Sequence, residues 1–359
     1  MASVSKSIEA VKKLSSVSVH LPESQDYDEL TSSYFSELER ELRPACFLTP
    51  RSAQEVADIL KAIQPFAGPS EVAICGSASR QHREWPMLAT ASPFICETSG
   101  DRDRQGKNSR LGGLSYFSYA RGFVSDDVVN YEVVLANGDI VNANAETNRD
   151  LWIALKGGGN NFGIVTRFEL NVFERGPMWG GKSLVEYHHQ PEPDTSAHIC
   201  LSLGYAAALG DIVCINDVFC SEPAKPKALK PFTDIQPQID QMNTLSVNSL
   251  RESSRMKNSR VRLPTVSMME QSMARGGNSQ GLDPSQGPLV VVMFYTSWDQ
   301  PEDDEVVFSV SKEALERIGI EGKSRHMSAQ YRYLNYAFPY QHPIGSYGPE
   351  SNARLHAVS

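Results

Sequence analysis

The chain has 359 residues, 40% of them hydrophobic and 21% charged, so it can bury the core of two ordinary domains and its composition excludes wholesale disorder. Its 34 Lys and Arg stand against 43 Asp and Glu, and the resulting charge of -9 repels phosphate backbones and anionic bilayers, so no nucleic acid is expected as a partner. The longest apolar runs, such as residues 288–295, stop far short of the ~20 residues that span a bilayer, so no membrane segment is expected.

The amino-terminal stretch MASVSKSIEAVKKLSSVSVHLPES places lysines and a glutamate where a secretory leader would be apolar, which predicts a cytoplasmic protein. The cysteines, Cys46, Cys75, Cys96, Cys200, Cys214 and Cys220, lack C-x-x-C spacing and read as buried free thiols. Over residues 52–63, Ser52 and Glu55 form an S-x-x-E capping box, and Val56, Ile59, Leu60 and Ile63 recur at helical spacing, so an amphipathic helix starts there. The apolar run 71–75 suits a buried strand after it. Residues 81–110 show neither period and read as a loop.

Patterning resumes at Val128, where VVNYEVVLANGDIVNA predicts a hairpin turning at Asn137-Gly138. A short helix over 150–155, a glycine-rich loop and a strand over 164–172 follow. Extended segments are expected near 182–187 and 211–219, ahead of a polar run over 248–262, and a strand over 289–298. After Pro301 comes a helix with Val306, Val307, Val310, Leu315 and Ile318 on one face and its end at Gly319. Strands and helices in mixed order with a hairpin give an α+β class.

The segment Lys156-Gly-Gly-Gly-Asn-Asn-Phe-Gly163 is the most informative. Its glycines permit positive φ and close backbone approach, as in loops that present amides to phosphates; a ligand-free tight turn is the alternative. It is no dinucleotide fingerprint, because the G-x-G-x-x-G spacing is unmet and a strand follows. Gly100 to Lys107 fails as a P-loop, with five residues between its glycines and Asn108 where a hydroxyl is required. Gly277-Asn-Ser279-Gln-Gly281 matches G-x-S-x-G, but a helical pattern precedes it, whereas a nucleophile elbow follows a strand. His188, His189, Asp194 and His198 read as a solvated surface, so no metal is expected. Residues 331–337 are crowded with Tyr331, Tyr333 and Tyr336, rings that can flank a planar ligand and move a proton, or form an ordinary core strand.

Taken together these phrases carry a resemblance. GFVSDDVVNYEVVLANGDIVNANAETNRDLWIALKGGGNNFGIVTRFEL resembles the second half of the FAD-binding domain in fungal berberine bridge enzyme-like oxidases, and YRYLNYAFPYQHPIGSYG resembles their carboxyl-terminal motif. GPLVVVMFYTSW fits their substrate domain, and TPRSAQEVADILKAI the entry helix of the FAD domain. The resemblance implies a two-subdomain FAD-binding domain of PCMH type (1–175, incomplete around 80–112). It also implies an inserted α+β substrate domain, an antiparallel sheet covered by helices (176–325), and a carboxyl-terminal segment returning to the FAD domain (326–359).

It further implies hydride removal from a small organic substrate to flavin N5, with molecular oxygen as electron acceptor, on alcohols, amines or polyketide-type intermediates of secondary metabolism. Gly163, Ile164 and Val165 would meet the adenine and ribose side of FAD through their backbone, Asn335 and Tyr336 would sit near its ring system, and Tyr333 or Tyr336 would accept a proton. Where the family shows R-G-G-G-H, this chain has Cys75-Gly76-Ser77-Ala78-Ser79. Gly76 and Ser79 would therefore line the cofactor loop with no attachment histidine, and FAD would bind noncovalently. The family's second glycine-rich loop is reduced to Leu111-Gly-Gly-Leu-Ser115, and the sequence stops at Ser359, ahead of the family's final strand-like tail. The alternative on the same scaffold is a redox-inactive protein that binds a small molecule and steers a cyclisation by shape.

Overall fold

The computed structural model describes residues 2–14, 16–32, 40–41, 43–66, 72–74, 94–96, 112–115, 117–159, 161–174, 178–184, 197–206, 211–220, 222, 243–245, 261–262, 265–293, 296, 298 and 300–359. It opens with helix α1 (Ala2–Lys12), strand β1 (Ser18–His20), α2 (Gln25–Ser32), β2 (Cys46–Thr49), α3 (Ala53–Ile63), β3 (Val72–Ile74) and β4 (Phe94–Cys96). These strands form one sheet in the order β1-β2-β4-β3, with β1 antiparallel to β2 and both β2 and β3 parallel to β4. Strand β4 lies inside the 81–110 stretch that reads as a loop. Its three residues, Phe-Ile-Cys, are too short to show a period, and pairing on both edges makes the strand.

Helix α3 starts as its sequence requires, with the Ser52 hydroxyl accepting the Glu55 N–H at 3.1 Å. The reciprocal half of the box is displaced by one residue, because the Glu55 carboxylate accepts the Arg51 N–H at 2.6 Å. The helix serves two cores. Ile59 and Ile63 pack with Val11, Val17, Cys46 and Leu48, whereas Val56 and Ala57 pack with Val134 and Ile164. Cys46 and Cys220 are buried, and burial pushes the Cys46 thiol up to about 12. The other cysteines and the cluster of His188, His189, Asp194 and His198 lie outside the residues whose side chains are described.

The second sheet is built from β5 (Val128–Val134), β6 (Ile140–Asn144) and β7 (Ile164–Leu170) in the antiparallel order β6-β5-β7; α4 (Ser118–Arg121) precedes it, and α5 (Arg149–Leu155) joins β6 to β7. The hairpin turns where expected, with Gly138 at φ +84° and Leu135 N–H bonded to Asp139 O at 2.9 Å. The third sheet holds β8 (Met178–Leu184), β9 (Ala197–Ala206), β10 (Asp211–Cys220), β11 (Asn243–Leu245), β12 (Val261–Arg262) and β13 (Val291–Val292) in the order β11-β8-β10-β9-β12-β13, antiparallel throughout.

Helices α6 (Val266–Ala274), α7 (Asp304–Ser324) and α8 (Pro349–Val358) complete the described chain. Among the described residues of the strand expected over 289–298, only β13 is strand, and it pairs with β12 over two residues at the sheet edge. Helix α7 runs past Gly319, where a side chain would meet nothing within 4 Å, so nothing forces a stop. It ends where His326 turns to φ +55° and the Met327 N–H reaches Gly322 O at 2.8 Å. Among the described residues no helix is long and apolar enough to cross a membrane, and no group of His, Cys, Asp and Glu is arranged to hold a metal.

The main core fixes where the site lies. Trp152, Ile153 and Leu155 of α5 and Tyr131, Val133 and Val165 of the sheet share one buried cluster with Leu334, Tyr347 and Leu355, so the last 30 residues fold back onto the second sheet.

Candidate active site

Helix α5 ends by delivering Lys156 into the glycine-rich loop. The glycines answer to the protein's own atoms: a Cβ on Gly157 would stand 2.6 Å from Gln280 Cγ, one on Gly158 would stand 2.9 Å from Leu355 Cδ2, and one on Gly163 (φ +136°) would stand 2.6 Å from Val134 O. The loop is clasped from two directions. Ser279 donates its N–H and hydroxyl to Lys156 O at 3.0 and 2.9 Å, and the Tyr347 hydroxyl donates to Gly157 O at 3.0 Å. Ile164 and Val165 are buried and pair with Val134 and Val133 on β5, while β7 is the edge of its described sheet, with the backbone groups of its outer side turned away from that pairing.

The tyrosine-rich segment is not a strand. Residues Leu334–Tyr336 make a 3-10 turn, which breaks any alternation of faces. Tyr333 is buried beside Phe123, Met268 and Val291, its ring edge-on to Tyr336 with centroids 5.0 Å apart. The Asn335 amide donates to the Tyr333 phenol oxygen at 2.7 Å. Arg332 points to solvent and donates to the carbonyls of Ala329, Gln330 and Tyr331. Tyr331 and Tyr347 stack at 5.9 Å, and burial first, then neighbouring tyrosines, raises the pKa of both, so both stay protonated.

A largely buried polar cluster adjoins Phe123, which packs with Tyr333. Asp127 accepts Arg121 through both its oxygens and Arg275 at 2.6 Å. Asp126 accepts the Phe123 N–H at 2.8 Å, and burial raises its pKa against that bond and the Lys156 charge. Lys156 is fully buried with Nζ 3.3 Å from the Trp152 ring centroid, and burial lowers its pKa from 10.5 to about 8 against the nearby Asp126 and Asp127 charges. Among the described residues, Ser125 Oγ, Lys156 Nζ, Gln280 Nε2 and Asn335 Oδ1 are buried polar atoms with no hydrogen-bond partner.

Tyr333 and Tyr336 thus pack with Phe123, Met268 and Val291, beside the separate cluster in which Phe162 of the loop and Val165 meet Leu334; Tyr331 borders both, and Gly163 and Ile164 face Val134 of β5. Gly76, Ser79 and His82 lie outside the described residues. The participants that the sequence did not announce are Asn278, Ser279 and Gln280. Ser279 is no nucleophile elbow, being buried and bonded to a carbonyl, and no local signal marks its docking on Lys156.

No family model matches the chain. It is 27% identical to the FAD-dependent monooxygenase FUP4 of Fusarium proliferatum over 90% of this chain and 83% of that one, and 27% identical to the FAD-dependent monooxygenase tpcD of Cochliobolus heterostrophus over 92% and 84%. The first alignment covers 427 positions, more than the 359 residues here, so that relative carries segments with no counterpart in this chain. Among solved structures, Physcomitrella patens BBE-like 1 matches with a TM-score of 0.66 at 13% identity over 98% of this chain and 95% of that one. The 6-hydroxy-D-nicotine oxidase of Arthrobacter nicotinovorans matches at 0.64 and 14% over 95% and 94%. The chain therefore has the α+β fold of the PCMH-type FAD-binding proteins, with an antiparallel sheet inserted between the second sheet and the returning carboxyl-terminal segment.

Proposed function

We propose that the chain is an FAD-linked oxidoreductase that holds FAD noncovalently and oxidises a small organic substrate, an alcohol, amine or polyketide-type intermediate of fungal secondary metabolism, with dioxygen as electron acceptor, in the cytoplasm. The likeness across nine-tenths of the chain to a protein named an FAD-dependent monooxygenase carries this reading. The unpaired buried atoms fit such a cofactor: the flavin ring presents carbonyls that need donors and an imide N–H that needs an acceptor, and Lys156 Nζ, Gln280 Nε2 and Asn335 Oδ1 are of those kinds.

On this reading Asn335 and Tyr336 face the ring system, residues 163–165 meet the nucleotide through the outer edge of β7, and Gly76 and Ser79 line the loop after β3. When bound, FAD supplies the two-electron acceptor. Tyr333 or Tyr336 takes the substrate's proton, and the Asn335 amide holds the Tyr333 phenol oxygen in place. Tyr331 and Tyr347 keep their protons, Tyr331 fixing the segment to Gln280 and Tyr347 fixing it to Gly157 of the glycine loop. The division into 1–175, 176–325 and 326–359 belongs to the same proposal.

The test is the visible absorption spectrum of the purified chain with added FAD, before and after acid precipitation. Flavin bands released by acid are expected. No bands in excess FAD would replace this reading with that of a scaffold binding a small molecule without electron transfer.

A further inference from the structure

Ser125 and Gln280 each bury a polar atom without a hydrogen-bond partner, and both stand against Gly112. Gly112 and Gly113 have φ of +96° and +80°, and their carbonyls accept the N–H groups of Ser125 at 2.8 Å and Val124 at 2.9 Å, which fixes this turn onto the start of the 3-10 helix Val124–Asp127. The Gln280 amide lies on the same turn, where a Cβ at Gly112 would stand 2.7 Å from Nε2, so a glycine is needed for the amide to sit there. Its Oε1 accepts the Tyr331 hydroxyl at 2.5 Å, which leaves both N–H bonds of Nε2 unused. Both residues are essentially unexposed. Native proteins keep few such atoms, and two on residues that contact one glycine turn, Ser125 through its backbone and Gln280 through its amide, both able to donate, point to a missing acceptor.

We propose that Gln280 Nε2 and Ser125 Oγ are cofactor-binding donors that take an acceptor oxygen of the bound flavin cofactor, a ring carbonyl or a phosphate, at the Gly112–Gly113 turn. The proposal rests on the FAD reading above. Gln280 follows α6, so cofactor retention then depends on a residue far along the chain from the amino-terminal sheets. It also accounts for the split use of the Gln280 side chain, one end fixing Tyr331 and the other kept for the ligand.

The experiment uses the full chain as wild type, Ser125→Ala and Gln280→Glu, with FAD Kd read from flavin fluorescence and unfolding temperature read on the apoprotein. Ser125→Ala removes an unpaired hydroxyl, so the apoprotein should unfold at the same or a higher temperature while the FAD Kd rises about 10-fold. Gln280→Glu keeps an acceptor for Tyr331 but replaces the donor with a carboxylate that repels an acceptor oxygen, and the Kd should rise about 100-fold. A parallel titration with riboflavin, which lacks phosphate, separates the two sources: a loss seen with both ligands assigns the carbonyl, and a loss seen only with FAD assigns the phosphate. Wild-type Kd in both variants, beside shifted unfolding temperatures, would overturn the proposal and leave the pair as structural groups, with the FAD reading intact. Failure of the wild type to bind FAD would overturn both. Should Gln280→Glu not fold, Ser125→Ala decides alone.

Discussion

Replacing Lys156 with Met should stabilise the protein at neutral pH and remove a pH dependence that the wild type carries. Lys156 is fully buried with no hydrogen-bond partner for Nζ, and burial lowers its pKa from 10.5 to about 8. At about 1.4 kcal/mol per tenfold change, holding the ammonium in this site costs about 3 kcal/mol. The contact of Nζ with the Trp152 ring, worth up to about 2 kcal/mol in a dry site, offsets part of that, so Lys156→Met should gain about 1–3 kcal/mol at pH 7. The sign follows from proton counts. Between about 8 and 10.5 the unfolded chain holds more protons on Lys156 than the folded one, so wild-type stability rises with pH in that window. This contribution is fully present above 10.5 and is lost as the pH falls through about 8. Equilibrium urea unfolding of both proteins without FAD, from pH 7 to 11, should show the mutant's advantage holding up to about 8 and shrinking toward zero by 10.5. A constant difference across that range, or a wild type more stable at pH 7, would refute the reasoning and mean that Asp126 and Asp127 more than compensate the burial.

Gly163→Val should lower the unfolding temperature sharply, with a loss of roughly 2 kcal/mol or more: φ of +136° disfavours any side chain, and a Cβ would meet Val134 O at 2.6 Å. Wild-type melting in that variant would mean the loop is free of β5. Asp127→Asn should loosen the hold of residues 265–282 on the second sheet, since it weakens the bonds from Arg121 and Arg275, with a loss of about 2 kcal/mol and faster proteolysis within 265–282; an unchanged cleavage pattern would count against that hold.

What could be read in the sequence was local. Ser52 three residues before Glu55 announces a helix start because the hydroxyl satisfies an N–H one turn away, and the structure keeps that bond. Asn137-Gly138 announces its turn because glycine accepts positive φ, and Gly138 has it. Strand β4 is not legible in the sequence because three apolar residues carry no period; its pairing with β2 and β3 makes it a strand. Gly319 does not end α7, because a glycine only weakens a helix, and an exposed helix with nothing against that residue has no reason to stop.

The candidate site divides along the same line. The tyrosines of 331–336 and the glycines of 156–163 stand out in the sequence because their side chains, or the lack of them, advertise chemistry wherever they occur. Which atoms they meet does not: Ser279 reaches Lys156 across 123 residues and Tyr347 reaches Gly157 across 190. The sequence by itself determined helices α3 and α5, the start of α7, the hairpin and the α+β class, since each rests on spacing within a few residues. Only the tertiary structure decided that Gln280 lies on Gly112 and Gly157, that Gly163 yields to Val134, and that Lys156 is sealed against Trp152. Those contacts come from packing surfaces that chain spacing does not encode.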